Sequence, residues 1–199
     1  FCPPKPGQKV LDACAAPGGK TAALAAIANN RAKITAWDLH PHRVELIRAA
    51  CERLGVGGVA AEARDASVFD PACAELFDVA LIDAPCSGLG VSGKPDLRLN
   101  KTKEDVFALA ELQLAILSAC AHYVKPGGAL VYSTCTISKP ENEDVTDAFL
   151  ASFSDFYPGD LSPFFPPDFD GSRLAGGRVQ LIPPIDGVNG FYISRMLRK

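Results

Sequence analysis

Two short runs, "DAPCSG" (Asp83–Gly88) and "YSTCTI" (Tyr132–Ile137), each place a cysteine just past a stretch of apolar residues. A lone cysteine in such a place is ordinarily a small core hydrophobe, because reactivity demands an exposed, electropositive setting. Two of them, Cys86 and Cys135, at the ends of two candidate strands admit a second reading: a thiolate nucleophile and a partner thiol. Carboxylates recur in comparable places. Asp38 closes "KITAWD", Asp65 sits in "RDAS", and Asp83 opens the first cysteine run.

Upstream lies "DACAAPGGKTA" (Asp12–Ala22). Its "GGKT" looks like a phosphate loop, but G-x-x-x-x-G-K-[ST] requires glycine where Cys14 stands. A dinucleotide G-x-G-x-x-G fails as well, since Ala15 and Ala16 precede Pro17. What survives is a turn through Gly18 and Gly19 to Lys20 that delivers a helix N-terminus, where an anionic group is favoured. Asp38 follows at about 20 residues, the spacing of an acid that accepts from ribose hydroxyls, and equally of one that caps the next helix. Asp65 can accept from an adenine amino group or be a plain surface acid. Together these describe a nucleoside ligand that carries a carboxylate and no phosphates, and S-adenosylmethionine fits that description.

The elements that must position these residues alternate between short apolar runs and helical patterns, the mark of a parallel α/β sheet with crossover helices. "KVLDAC" (Lys9–Cys14), "KITAWD" (Lys33–Asp38), "GVAAEA" and "FDVALID" (Phe77–Asp83) read as strands, the last buried on both faces. "TAALAAIANN" and "HRVELIRAACERLG" read as the helices between them, the second closed by Gly55. After a long polar loop, Pro85–Thr102, the spacing predicts a helix over Lys103–Val124 with Val106, Leu109, Leu112, Ile116, Cys120 and Tyr123 on one face. "KPGG" then feeds the strand "ALVYSTC". "KPENEDVTDAFLASF" opens a final helix with acids in its first turn, Ser154–Gly190 reads as irregular, and "FYISRML" as a last strand. Ligands of such sheets bind beyond the carboxyl ends of the strands.

With 199 residues, 48% hydrophobic and 22% charged, the chain has the balance of one ordinary soluble globular domain. No apolar run reaches transmembrane length, since Leu109–Val124 is broken by Glu111, Gln113 and His122. Seven cysteines without a CxxC pair match neither a disulfide scaffold nor a zinc cluster and point to a reducing cytoplasm. No metal is expected: in "LHPH", His40 and His42 lack further ligands. A net charge of −3 argues against holding nucleic acid by bulk charge alone. Phe1 opens the chain with no initiator Met, so the expectation is a piece whose upstream part is missing.

"DACAAPGGKT", "DAPCSGLGV", "KPGGALVYSTCTISKPENE" and "NGFYISRMLRK" resemble the RNA cytosine-5 methyltransferases of the Sun/Nop2 family, most closely its bacterial ribosomal RNA branch. The resemblance covers nearly the whole chain. It implies a Rossmann-like class I methyltransferase fold, a mostly parallel seven-stranded sheet with helices on both faces. It implies S-adenosylmethionine as cofactor and RNA, ribosomal above all, as partner. It assigns Cys135 as the nucleophile that adds to C6 of cytosine, Cys86 as the residue that assists product release, and Asp83 to the base edge. Around the cofactor it places Ala15, Ala16, Pro17, Gly18, Gly19 and Lys20 near the methionine portion, Asp38 at the ribose, Asp65 at the adenine, with Asp83 and Arg43 also adjoining it. Lys20 and Lys139 are the cations that could activate Cys135.

The resemblance has departures. The loop "GLGVSGKPD" lacks the arginine pair of many relatives, though Lys94, Arg98, Lys101 and Lys103 lend it positive charge, and Asn189 replaces the usual Asp of "DGFF". Relatives carry an RNA-binding region upstream, so residues 1–199 alone are expected to bind the cofactor but to methylate RNA poorly. The alternatives are a methyltransferase acting on a small molecule or protein with structural cysteines, a P-loop nucleotide switch, and a catalytically silent RNA-binding factor. The oligomeric state stays open.

Overall fold

The computed structural model describes residues 2–91 and 101–199. Five parallel strands, β1 (Lys9–Asp12), β2 (Lys33–Asp38), β3 (Val59–Ala63), β4 (Phe77–Asp83) and β5 (Val124–Thr134), line up in the order β3-β2-β1-β4-β5. Two short strands, β6 (Phe156–Pro158) and β7 (Arg178–Leu181), and a last one, β8 (Phe191–Arg198), complete the sheet. β8 runs antiparallel to β5, while β6 and β7 both pair with β8 at different registers. Among the described residues eight strands therefore fill seven positions, because β6 and β7 lie end to end along one edge.

The alternation of side chains along each strand splits the core into two layers. On one face Ala80 and Ile82 of β4 pack with Leu11, Leu130 and Tyr132 under α3 (Lys103–Ala121) and α4 (Glu143–Ser152). On the other, Val79 and Leu81 pack with Val10 and Ile34 under Leu24 and Ala25 of α1 (Gly19–Ile27). α2 (Pro41–Arg53) covers β2 on that same side through Ile47 and Cys51. A single turn of helix, α5 (Pro183–Asp186), precedes β8. Gly18 lets the first turn approach α2: its φ is +102°, and a Cβ there would stand 3.1 Å from the Ile47 Cα.

Four details differ from the sequence reading. The segment read as irregular contains β6 and β7, which at three and four residues are too short to show a period, and Pro158 suits an edge strand. The third helix ends at Ala121, and its buried side carries Gln113, Ile116, Leu117 and Cys120, while Leu112 is exposed. β5 begins at Val124 and runs through the Pro-Gly-Gly sequence. "KPE" forms a separate 3-10 turn, Lys139–Glu141, before α4 starts at Glu143. Residues 92–100 of the long polar loop, among them Lys94, Asp96 and Arg98, lie outside the described residues.

Candidate active site

The strand order reverses between β1 and β4, and a crevice opens at the carboxyl ends of such a pair. Asp12 pairs with Leu81 across it, and Asp83 pairs with Ser133 of β5. Three residues past Asp83 comes Cys86; two past Ser133 comes Cys135. The register alone thus brings the cysteines together, and their sulfurs stand 3.1 Å apart. The Cys135 N–H donates to the Cys86 Sγ at 3.3 Å.

Both cysteines line a cleft of about 360 Å³. At its far end are Asp38, Arg64 and Asp65; its walls include Leu39, Ala66, Leu112 and Ile116. Asp38, only 3% exposed, accepts from the Ala16 N–H (3.3 Å) and the His40 N–H (3.2 Å). Arg43 braces it, with one guanidinium nitrogen 3.5 Å from Asp38 and another donating to the Ala16 carbonyl at 3.2 Å. Asp65 accepts from the N–H and hydroxyl of Ser67 and is exposed. Arg64 lies 4.6 Å over the Trp37 ring and pairs with Asp70.

Asp83 ties the start of α1 to β5. Its Oδ2 is 2.6 Å from the Lys20 Nζ, and its Oδ1 accepts from the Ser133 hydroxyl at 2.9 Å. Beneath it, fully buried Asp12 accepts from Thr21 with one oxygen, while the other has no partner. Burial first, then the neighbouring Asp83 and Asp38, pushes the Asp12 carboxyl up to about 6 against the opposing hydrogen bond from Thr21.

The thiols divide sharply. Burial pushes Cys2 up to about 11, Cys14 to about 12 and Cys120 well above the usual thiol range. Cys135 is pulled down to about 7, chiefly by the hydrogen bond from Cys86, against burial and the Asp83 charge, with Lys20 helping. Cys86 is driven the opposite way by the same hydrogen bond and by burial. The one hydrogen bond thus moves the two thiols in opposite directions, Cys135 down and Cys86 up. The largest cause of the Cys135 lowering is the hydrogen bond from the second cysteine; Lys139 points elsewhere, paired with Asp144.

Three loops are locked around these sulfurs. Gly90 N–H donates to the Cys135 carbonyl at 3.1 Å, and Gly190 N–H donates to the Gly90 carbonyl at 2.8 Å. A Cβ on Gly190 would come within 2.6 Å of Ile137 and 2.8 Å of the Gly90 Cα. That close approach explains the glycine of "NGFY".

Of the residues singled out by sequence, Ala16, Asp38, Arg43, Asp65, Asp83, Cys86 and Cys135 meet in this cleft. Ala15, Pro17, Gly18 and Gly19 do not line it: Ala15 and Gly18 are buried in the turn, and Pro17 and Gly19 face outward. Lys20 reaches Asp83 from the other side, where with Ser133 and Phe191 it borders a second, apolar hollow of about 350 Å³. Sequence reasoning does not assign Cys14 or Arg64 to the cleft and puts Leu112 on the apolar face of its helix; in "RDAS" only the acid carries a signal. Among the described residues no cluster of three or more His, Cys, Asp or Glu side chains is placed to hold a metal ion, and no helix is long and apolar enough to cross a membrane.

The cleft is of a size to take a nucleoside, with the carboxylates Asp38 and Asp65 toward one end and apolar side chains along its walls. The strand order and the crevice at its reversal are those of the Rossmann-like class I methyltransferase fold. The chain belongs to the 16S rRNA methyltransferase RsmB/F family, whose model matches residues 2–197. It is 44% identical over 201 residues to a probable ribosomal RNA small subunit methyltransferase B of Bacillus subtilis, covering 98% of this chain and 44% of that protein. It is 38% identical to ribosomal RNA small subunit methyltransferase F of Serratia proteamaculans, covering 95% and 40%. Among solved structures it is similar to NSun6 from Pyrococcus horikoshii with SFG, at a TM-score of 0.82 and 29% identity, covering 98% of this chain and 49% of that one. The chain thus spans less than half the length of these curated relatives.

Proposed function

We propose that this chain methylates carbon 5 of a cytidine in RNA, small-subunit ribosomal RNA being the substrate, with S-adenosylmethionine as cofactor. The observation that carries the reading is the sulfur pair, 3.1 Å apart and joined by a hydrogen bond, at the inner end of a nucleoside-sized cleft. Asp38 would hold the ribose hydroxyls through lone pairs left over from Ala16 and His40, and Asp65 the adenine amino group. The bound cofactor supplies an electrophilic methyl group.

Carbon 5 of cytosine is a poor nucleophile until a thiolate adds to C6 and turns the ring into an enamine. Cys135, ionised near pH 7, makes that S–C6 bond. Asp83, held by Lys20 and Ser133, accepts from the amino edge of the base as charge shifts during addition. The enamine's electron pair would then let carbon 5 bond to the methyl group, whose bond to the cofactor's sulfur breaks in the same step. Once its sulfur is bonded to C6, Cys135 no longer carries the charge that keeps a proton on Cys86. Cys86 can then lose that proton to water and take the one leaving C5, after which the S–C6 bond breaks and Cys135 departs as thiolate. The target base has to leave its stack to reach both sulfurs.

The test compares two variants, made in a protein extended upstream of residue 1, incubated with S-adenosylmethionine and small-subunit ribosomal RNA. Cys135→Ala is expected to abolish methylation and to form no adduct; Cys86→Ala is expected to accumulate a covalent protein–RNA adduct. Normal methylation by both would overturn the mechanism, and a methyl acceptor other than RNA would favour the small-molecule or protein reading.

A further inference from the structure

We propose that Glu141 is a positioning residue whose buried carboxylate ties the loop bearing Cys86 to the loop bearing Cys135 and so sets the spacing of the two sulfurs. The inference depends on the proposed reaction for its purpose but not for its geometry. Glu141 is 0% exposed, and three donors converge on it. Its Oε1 accepts from the Ser87 N–H at 2.8 Å and the Gln113 Nε2 at 3.1 Å; its Oε2 accepts from the Ser87 hydroxyl at 2.5 Å.

These contacts bracket both cysteines. Ser87 follows Cys86, and Gln113 also donates to the carbonyl of Pro85 on the other side of it, at 2.8 Å. The Ser87 hydroxyl is 3.0 Å from that of Thr136, which follows Cys135. Because Ser87 donates to Glu141, the Thr136 hydroxyl is left to donate to Ser87, and it accepts in turn from the Ser138 N–H at 3.2 Å. The relay ends on the carboxylate, and hydrogen bonds aligned in this way reinforce one another.

The backbone of Glu141 and its neighbour fix the other side. The Tyr132 hydroxyl donates to the Glu141 carbonyl at 2.6 Å. Asn142 accepts from Thr134 at 2.6 Å and donates to the Thr136 carbonyl at 3.1 Å, gripping the residues on either side of Cys135. The run "PEN" in "KPENE" is thus an adapter: glutamate for the Cys86 loop, asparagine for the Cys135 loop. A carboxylate suits the first task because it accepts several donors at once.

The readout is alkylation of Cys135 by iodoacetamide across pH, followed by peptide mass mapping. The groups facing this sulfur are Cys86, Asp83 and Lys20, with Tyr132 and Glu141 behind Cys86. In the unsubstituted protein the profile is expected to turn near 7. Glu141→Ala frees the Cys86 loop, so the rate at about pH 6.5 is expected to fall about tenfold as Cys135 reverts toward an ordinary thiol. Ser87→Ala, which leaves the carboxylate in place, is expected to lower it about threefold in the same direction. Glu141→Gln is expected to retain the profile: its single oxygen can take the Ser87 N–H and Gln113, while its amide faces a Ser87 hydroxyl free to turn around.

A merely structural role would lower the melting temperature without moving the profile. An unmoved profile in folded Glu141→Ala, or in Ser87→Ala if the former does not fold, would overturn the proposal; so would a Gln variant as impaired as Ala. With RNA and cofactor, Glu141→Ala in the same extended protein is expected to accumulate adduct as Cys86→Ala does. Absence of adduct from every protein, with the alkylation contrast intact, would overturn the reaction and leave the tie standing.

Discussion

On the β4–β5 side of the cleft, Cys86 and Cys135 sit on loops held by Ser87, Gln113, Thr136, Glu141 and Asn142, each 1% exposed or less. On the β2–β3 side, Asp65 hangs from an exposed turn and bonds within two residues of itself, while Asp38 and Arg43 hold only the neighbouring turn. The first wall is held by a buried network of side chains that joins several loops; the second is held by fewer bonds, to Ser67 and to the turn at Ala16. The proposed reaction, in which two sulfurs act on the adjacent carbons C6 and C5, tolerates little play, whereas a cofactor gripped at several points along its length does. Substitutions on the first wall should therefore alter thiol chemistry, and those on the second should alter cofactor affinity alone.

Asp12 sharpens this contrast, because it ends a strand on the cofactor side yet is buried like the cysteine wall. Its carboxyl titrates near 6 in the folded protein, above the ordinary 3.8. The folded state then binds more protons than the unfolded state between these values, so this group's contribution to stability is full below the lower value and is lost as pH rises through the upper. Urea denaturation at about pH 4.5 and about pH 7 should show a loss of about 2 kcal/mol from this source. In Asp12→Asn, whose amide oxygen can still accept from Thr21, that loss should disappear. An equal loss in both proteins would place Asp12 with the easily hydrated acids.

Asp38→Ala tests the independence of the walls. Removing a carboxylate that would accept from ribose hydroxyls should weaken S-adenosylmethionine binding by roughly ten- to hundredfold in calorimetry. The Cys135 alkylation profile should not move, since Asp38 does not touch the residues that hold the sulfurs. A displaced profile would mean that the turn after β1 transmits to the cysteine loops, and the division into two walls would fail.

Much of the first wall was legible in sequence as positions rather than as connections. "FDVALID" and "ALVYSTC" announce strands, and a parallel register between them brings their ends together, so Asp83, Cys86 and Cys135 could be picked out. Lys20 reaching Asp83 across 63 residues could not, because spacing along the chain carries no information about it. Gln113 stands within a largely apolar helix as an apparent interruption, and Glu141 passes for an acid at a helix start; only the fold shows that they meet. The helical period located an apolar face on α3 but misplaced its edge, so Leu112 was assigned to the core when it borders the cleft. β6 and β7 escaped notice because strands of three and four residues hold too few side chains to display alternation.

The smallest expected effect belongs to Asp65. Its side chain is exposed, and one oxygen already serves the Ser67 N–H and hydroxyl, so water competes for whatever hydrogen bond it offers an adenine amino group. Asp65→Ala should weaken S-adenosylmethionine binding by only about two- to threefold. If it weakens binding as much as Asp38→Ala does, the cofactor wall is not graded by burial, and the exposed end of the cleft must close over the ligand. An effect confined to S-adenosylmethionine, and absent for an analogue lacking the adenine amino group, would locate the contact at that group and not in the turn.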